Sequence, residues 1–195
     1  MDILDLEQKC EDYKKLEGRA SFYDLAAEIV KEKPLHASVI LLATWNVGRF
    51  RFFASNSENL IALGNAIKET KGLFSQLENK KFLLTDFNQI RNAVTSIYDK
   101  FSNVKGVEYT GTSKIMHLFN RDLFVMWDSH IRKEYGIMTS ADDYLEFLKK
   151  MQIKFSGIEW ISNEKTFSKA IDEYNYVTIS YTALKRQGKK RDYAI

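Results

Sequence analysis

The chain has 195 residues, the size of one ordinary domain. Hydrophobic residues at 45%, aromatics at 13% and a single proline supply enough apolar surface for a core and exclude intrinsic disorder. A formal charge of +3 is too small to identify a partner by itself, the lone Cys10 excludes an internal disulfide and a cysteine-rich zinc site, and no apolar run approaches the roughly 18 residues that cross a bilayer.

The start of the chain, Met1 to Glu7, is acidic where a secretory signal would be basic, so a cytoplasmic protein is expected, nucleoid-associated if prokaryotic. Ile3, Leu6, Cys10, Tyr13 and Leu16 step by three or four and predict an amphipathic first helix ending near Gly18. Phe22, Leu25, Ala26 and Ile29 continue that spacing until Pro34 breaks it. The apolar run from His36 to Trp45 suits a buried strand or a buried helix, and its length favours the helix. Further helices are expected over 58–70, 73–77 and 86–101, the last with Thr85 as its N-cap and Phe87, Ile90, Val94, Ile97, Tyr98 and Phe101 along one face. Helices over 142–155 and about 165–185 complete the set, with the β-branched cluster 176–179 as the one candidate strand. These elements predict an all-α, two-lobed helical bundle in one domain. One lobe spans about 85–140 and the other about 20–80 plus the C-terminal helices.

Two segments carry chemical interest. The tail 185–191, Lys-Arg-Gln-Gly-Lys-Lys-Arg, is either a solvated terminus or an electrostatic arm for a phosphate backbone. In the stretch 106–136, Gly106 and Gly111 flank a polar turn, and Thr112, Ser113 and Lys114 are expected to open a helix. Free backbone N–H groups at such a start suit a phosphate. A lysine there opposes the helix dipole, which favours a neutral, nucleophilic amine. Asp128 follows the apolar run 123–127, a setting that suits a charge-stabilising or general-base carboxylate.

The stretch 106–136, and more weakly 37–56, resembles the helix–hairpin–helix DNA glycosylases of base-excision repair. The phrase Trp127-Asp128-Ser129-His130-Ile131-Arg132 is similar to that family's Val-Asp-Thr-His-Val-Arg, and Lys114 is the counterpart of the lysine in its bifunctional members. Asn46, after Leu41-Leu42-Ala43-Thr44-Trp45, stands where the family places a duplex-invading Gln or Asn. The family's Leu-Pro-Gly-Val-Gly hairpin is Val104-Lys105-Gly106-Val107-Glu108 here, lacking the proline, with another glycine at Gly111. Lys114 and Asp128 are closer together than the family's pattern expects, and no four-cysteine iron–sulfur loop is present.

The resemblance implies a helix–hairpin–helix motif and a monomer acting on duplex DNA with a damaged or modified base, without cofactor. It implies glycosylase and AP-lyase chemistry by Lys114 and Asp128 on a flipped nucleotide. Asn46, Arg49, Arg51, Gly106, Gly111, Thr112, Ser113, His130 and Arg132 would hold DNA, and Trp45, Phe50 and Trp127 would meet the base. Arg49 and Arg51 interleaved with Phe50, Phe52 and Phe53 also suit a DNA-facing surface.

The same residues have plainer readings: Asp128 as an N-cap, Lys114 as a solvated lysine, Asn46 as a C-terminal cap beside Gly48, and the three tryptophans as core. His117 and His130 lack a third partner, so no metal site is expected. The alternative from another class is a non-catalytic helical module that binds DNA or a protein and keeps the hairpin for backbone contact.

Overall fold

A computed structural model describes residues 2–17 and 20–188. The fold is all-α, and no strand occurs among the described residues. The helices are α1 (Ile3–Leu16), α2 (Ala20–Ile29), α3 (Pro34–Trp45), α4 (Val47–Phe53), α5 (Ser57–Gln76), α6 (Arg91–Ser102), α7 (Glu108–Phe119), α8 (Ser129–Glu134), α9 (Ala141–Phe155), α10 (Phe167–Asn175) and α11 (Thr182–Arg186). A 3₁₀ turn at Phe82–Leu84 precedes α6, and a π-helical stretch at Tyr176–Tyr181 joins α10 to α11. Among the described residues no helix is long and apolar enough to cross a membrane.

The large core is aromatic. Trp127, Tyr98, Tyr144, Phe82, Phe87, Phe101, Phe124, Phe147 and Phe155 are all essentially sealed from solvent. Around Trp127 the rings of Tyr144 and Phe147 lie with centroids 5.0 and 5.4 Å away, offset or edge-on as ring quadrupoles prefer. A smaller cluster of Tyr23, Ala26, Ala37, Leu41 and Leu118 sits between α2, α3 and α7. Because α1 packs on α10 and the π-helical stretch, both ends of the described chain meet on one side.

Four local expectations are corrected. Positions 58–70 and 73–77 belong to one helix, α5, which runs through Gly72 without a break. Helix α6 begins at Arg91, not at position 86. Thr85 Oγ1 donates to the Lys81 carbonyl 2.8 Å away and cannot cap, while Asp86 accepts from the Asn88 N–H at 2.9 Å in a tight turn. Gln152 fixes this turn by donating to the Phe82 and Thr85 carbonyls. The candidate strand 176–179 is the π-helical stretch: its Tyr, Val, Thr and Ile side chains pack as a wide turn against α1 and α8.

The fourth correction concerns α7, which starts at Glu108 and not at Thr112. The turn before it reverses at Gly106 (φ +83°) and again at Glu108 (φ +50°). A Cβ on Gly106 would lie 2.3 Å from the Phe53 backbone nitrogen, so only glycine fits beneath α4. Gly111 is therefore a packing residue inside α7: a Cβ there would press on Asn46 and Leu42 at 2.9 Å. The basic run 185–191 is described only through Gly188, and Gly18, the expected end of α1, lies outside the described residues.

Candidate functional site

Between α1, α3, α7, α8 and the π-helical stretch lies an open cleft of about 470 Å³. Lys114 and Asp128 both line it, joined by Asp172 and Glu17, with Trp45, Tyr13, Tyr109 and Tyr176 supplying aromatic walls. Lys114 is half-buried at the middle of α7. At that position it does not meet the positive end of the α7 dipole, as a lysine at the helix start would. Its ammonium donates to the Trp45 carbonyl at the C-terminal end of α3, the negative end of that helix.

Asp128 is the N-cap of α8. Its Oδ1 accepts from the His130 and Ile131 N–H groups at 2.8 and 2.9 Å. The cap and the cleft position coincide: one carboxylate oxygen anchors the helix, and Oδ2 has no hydrogen-bond partner among the described residues. Asp128 is thus held rigidly by backbone while one oxygen stays available to the cleft.

Asp172, which no local motif marks, also lines the cleft. It lies on α10, 8% exposed, with Oδ2 3.1 Å from the Lys169 ammonium. Lys169 also reaches Glu173 at 3.2 Å, and Glu173 in turn meets Lys165 at 2.5 Å. The rings of Tyr13, Trp45 and Tyr23 enclose the Lys169 ammonium at 4.4, 4.9 and 5.3 Å, the arrangement in which aromatic faces attract a cation. Burial lowers the Lys169 pKa, but Tyr13, Asp172 and Glu173 outweigh it and hold the group well above the ordinary lysine value. For Asp172 burial raises the carboxyl pKa, and the Lys169 charge only partly offsets it. The signal for this cluster in sequence is the Lys169-x-x-Asp172-Glu173 spacing, which brings the three charges onto neighbouring positions of one helix.

Behind the cleft, Tyr23 stacks on Trp45 with centroids 4.9 Å apart and planes 5° from parallel. His117 holds Tyr23 in place: Nδ1 donates to the Phe124 carbonyl (2.6 Å), so Nε2 accepts from the Tyr23 hydroxyl (2.8 Å). His117 is fully buried and its pKa is pushed down to about 3 by desolvation.

Several expected DNA contacts are buried or engaged by partners within the protein. Thr112 and Ser113 are sealed in the interior, their hydroxyls donating to the Glu108 carbonyl and to those of Thr110 and Trp127. Asn46 is 6% exposed, and its amide donates to the Gly106 and Val107 carbonyls at 3.1 and 3.3 Å; it clamps the turn and does not project outward. Gly106 and Gly111 are covered. Trp127 is core, with Nε1 donating to the Tyr109 carbonyl. Arg132 closes the end of α8 by donating to the Ile137 carbonyl at 2.8 Å and lies over the Tyr109 ring. Phe50 packs on Phe53, and Arg51 lies over Phe52.

Among the expected contacts, Arg49, Lys114, Asp128 and Trp45 share the cleft, and the largely buried Asn46 and Trp127 also border it, although Arg49 is paired with Glu108 at 3.2 Å. His130 is half-buried in the first turn of α8 and is not part of the cleft lining. The cleft therefore sets two cations, Arg49 and Lys114, against three carboxylates, Glu17, Asp128 and Asp172. No protein-family model, curated protein or solved structure matches the chain.

Proposed function

We propose that the chain is a DNA glycosylase with AP-lyase activity, receiving an extruded damaged or modified base in the cleft between α1, α7 and α8. The observation that carries this reading is that Lys114 and Asp128, from separate helices, line one aromatic-walled cleft. The turn before α7 supports it too. The two positions that match the glycines of the family's hairpin, Gly106 and Glu108, are the two with positive φ there.

The chemistry proceeds from these groups. A base leaving C1′ builds positive charge on the sugar, and the fixed Asp128 carboxylate stabilises it. The Lys114 ammonium gives a proton to Asp172, whose burial makes it a ready acceptor. The free amine bonds to C1′ as the C1′–N bond to the base breaks. The departing base takes the proton held by Asp172. A further proton passes from nitrogen to O4′ as the C1′–O4′ bond opens, leaving a protonated imine between Lys114 and C1′. Loss of a C2′ proton then expels the 3′ phosphate.

The test is a panel of duplexes bearing uracil, 8-oxoguanine, alkylated bases or an abasic site, incubated with borohydride. A covalent adduct is expected on one of them, absent in Lys114→Gln. Asp128→Asn is expected to slow base release about 10²–10³-fold, the usual size of a lost charge-stabilising group. An adduct that persists in Lys114→Gln removes Lys114 from the mechanism, and no base release on any duplex removes the catalytic reading. In that event the second reading, a non-catalytic helical module, is favoured by the clamped turn: Asn46 and Phe53 cover Gly106, as in a purely structural connection.

A further inference from the structure

Beside the cleft, on the other side of the π-helical stretch, runs a larger open groove of about 780 Å³ between α1 and α11. Its walls carry Lys9 and Lys15 from α1, Lys185 and Arg186 from α11, and a single carboxylate, Asp12. Asp12 lies 3.6 Å from Lys9 and so accounts for that one charge. Lys15, Lys185 and Arg186 are exposed and make no ion pair or side-chain hydrogen bond among the described residues. The groove thus carries three uncompensated cations, whereas the cleft next to it carries an excess of carboxylate. In sequence Lys189, Lys190 and Arg191 follow directly.

The groove and the cleft share a wall. Tyr176 and Leu184 face the cleft, and Val177, Thr178, Tyr181 and Thr182, between them in sequence, face the groove. A wide π turn divides one short segment between two surfaces in this way. A chain of anions crossing the groove would pass directly beside the opening of the cleft.

We infer that the α1–α11 groove binds the phosphate backbone of a nucleic-acid strand, with Lys15, Lys185 and Arg186 as its phosphate contacts. The inference deepens the proposed function, since it names the path of the strand whose base enters the cleft. Nucleic acid fits better than another anionic surface because the adjoining cleft offers Trp45, Tyr109 and Tyr176 as flat partners for a base.

The experiment is a salt titration of binding by fluorescence anisotropy, with a labelled duplex carrying a tetrahydrofuran abasic analogue and with one of its strands alone. Wild type is compared with Lys15→Gln/Lys185→Gln/Arg186→Gln. A control triple, Lys31→Gln/Lys68→Gln/Lys71→Gln, removes the same charge from exposed positions that line neither the groove nor the cleft. For the duplex, each lost phosphate contact lowers the slope of log affinity against log salt by about 0.9. The groove variant is therefore expected to lose between two and three units of slope, and the control less than one.

Equal losses in both triples would show a general charge effect and overturn the groove. So would a slope unchanged in the groove variant, or wild type that binds neither oligonucleotide at low salt. Groove-dependent binding to phosphatidylserine vesicles without oligonucleotide binding would assign the surface to a membrane and overturn the inference. The glycosylase reading fails separately: a lost slope with no borohydride adduct keeps the groove and removes the chemistry, and an adduct with an unchanged slope does the reverse.

Discussion

His117 shows how one sealed side chain can govern a distant surface. It touches no solvent, yet through the Tyr23 hydroxyl it fixes the ring stacked on Trp45, a wall of the cleft. With a folded pKa near 3 against 6.5 in the unfolded chain, it is neutral when folded and takes a proton only on unfolding in mild acid. Its contribution is complete above pH 6.5 and declines as pH falls through the window from 6.5 to 3, by up to about 1.4 kcal/mol per pH unit. Urea unfolding at pH 7 and pH 5 should show a loss of about 2 kcal/mol. His117→Gln should be less stable at pH 7 but flatter over that window. Cys10 is unreactive for a related reason: it sits beneath α10 at 4% exposure, and burial raises its thiol pKa to about 12.

At the scale of elements, α8 depends on Asp128 in two separable ways, as cap and as charge. Asn is as good an N-cap as Asp, so Asp128→Asn should change stability by no more than about 0.5 kcal/mol, while Asp128→Ala should cost about 1 kcal/mol. Thermal melts of the two variants read this directly, independently of any activity. The cap was legible in sequence because Asp-Ser-His-Ile-Arg is a local pattern, satisfied within one turn. So were α1, α2, α3 and α9, each defined by its own apolar spacing or by a proline at its start. What sequence did not reveal depends on distant partners. Thr85 reads as a cap until the Lys81 carbonyl claims its hydroxyl. Thr112 and Ser113 look exposed until α7 is seen to begin four residues earlier. Asn46 looks like a projecting amide until the turn 60 residues away accepts its hydrogen bonds. Lys114 and Asp128 belong to a local phrase, whereas Asp172 belongs to the cleft only because α10 folds back against α1.

For the whole molecule, the enclosed Lys169 joins the N-terminal half to the C-terminal half. Tyr13, Tyr23 and Trp45 come from α1, α2 and α3, and the carboxylates Asp172 and Glu173 from α10. Lys169→Met would keep much of the volume but leave two buried carboxylates with less compensation. At pH 7 such a variant should lose about 3–5 kcal/mol, the usual cost of breaking one side of a buried ion pair. The sign of its pH response follows from the raised Asp172 carboxyl, which rises further without its cation. An acid whose folded pKa exceeds its unfolded value takes up a proton on folding, so the deficit should shrink as pH falls from 7 toward 5. Adding Asp172→Asn to Lys169→Met should recover part of the loss at pH 7. Denaturant midpoints of the single and double variants measured across that range test both statements.

The wide turn at Tyr176–Tyr181 also bears on how the chain tolerates length changes. Such a turn arises when one surplus residue is absorbed without altering the helical phase beyond it. Ser180 sits inside it, fully buried, with a hydroxyl that finds no hydrogen-bond partner among the described residues. Removing that single residue should let α10 and α11 fuse into one regular helix while Leu184, Lys185 and Arg186 keep their orientation. A deletion in mid-helix ordinarily scrambles every position after it; here the melting temperature should hold steady or rise, because this stretch of backbone offers the chain a spare residue to lose.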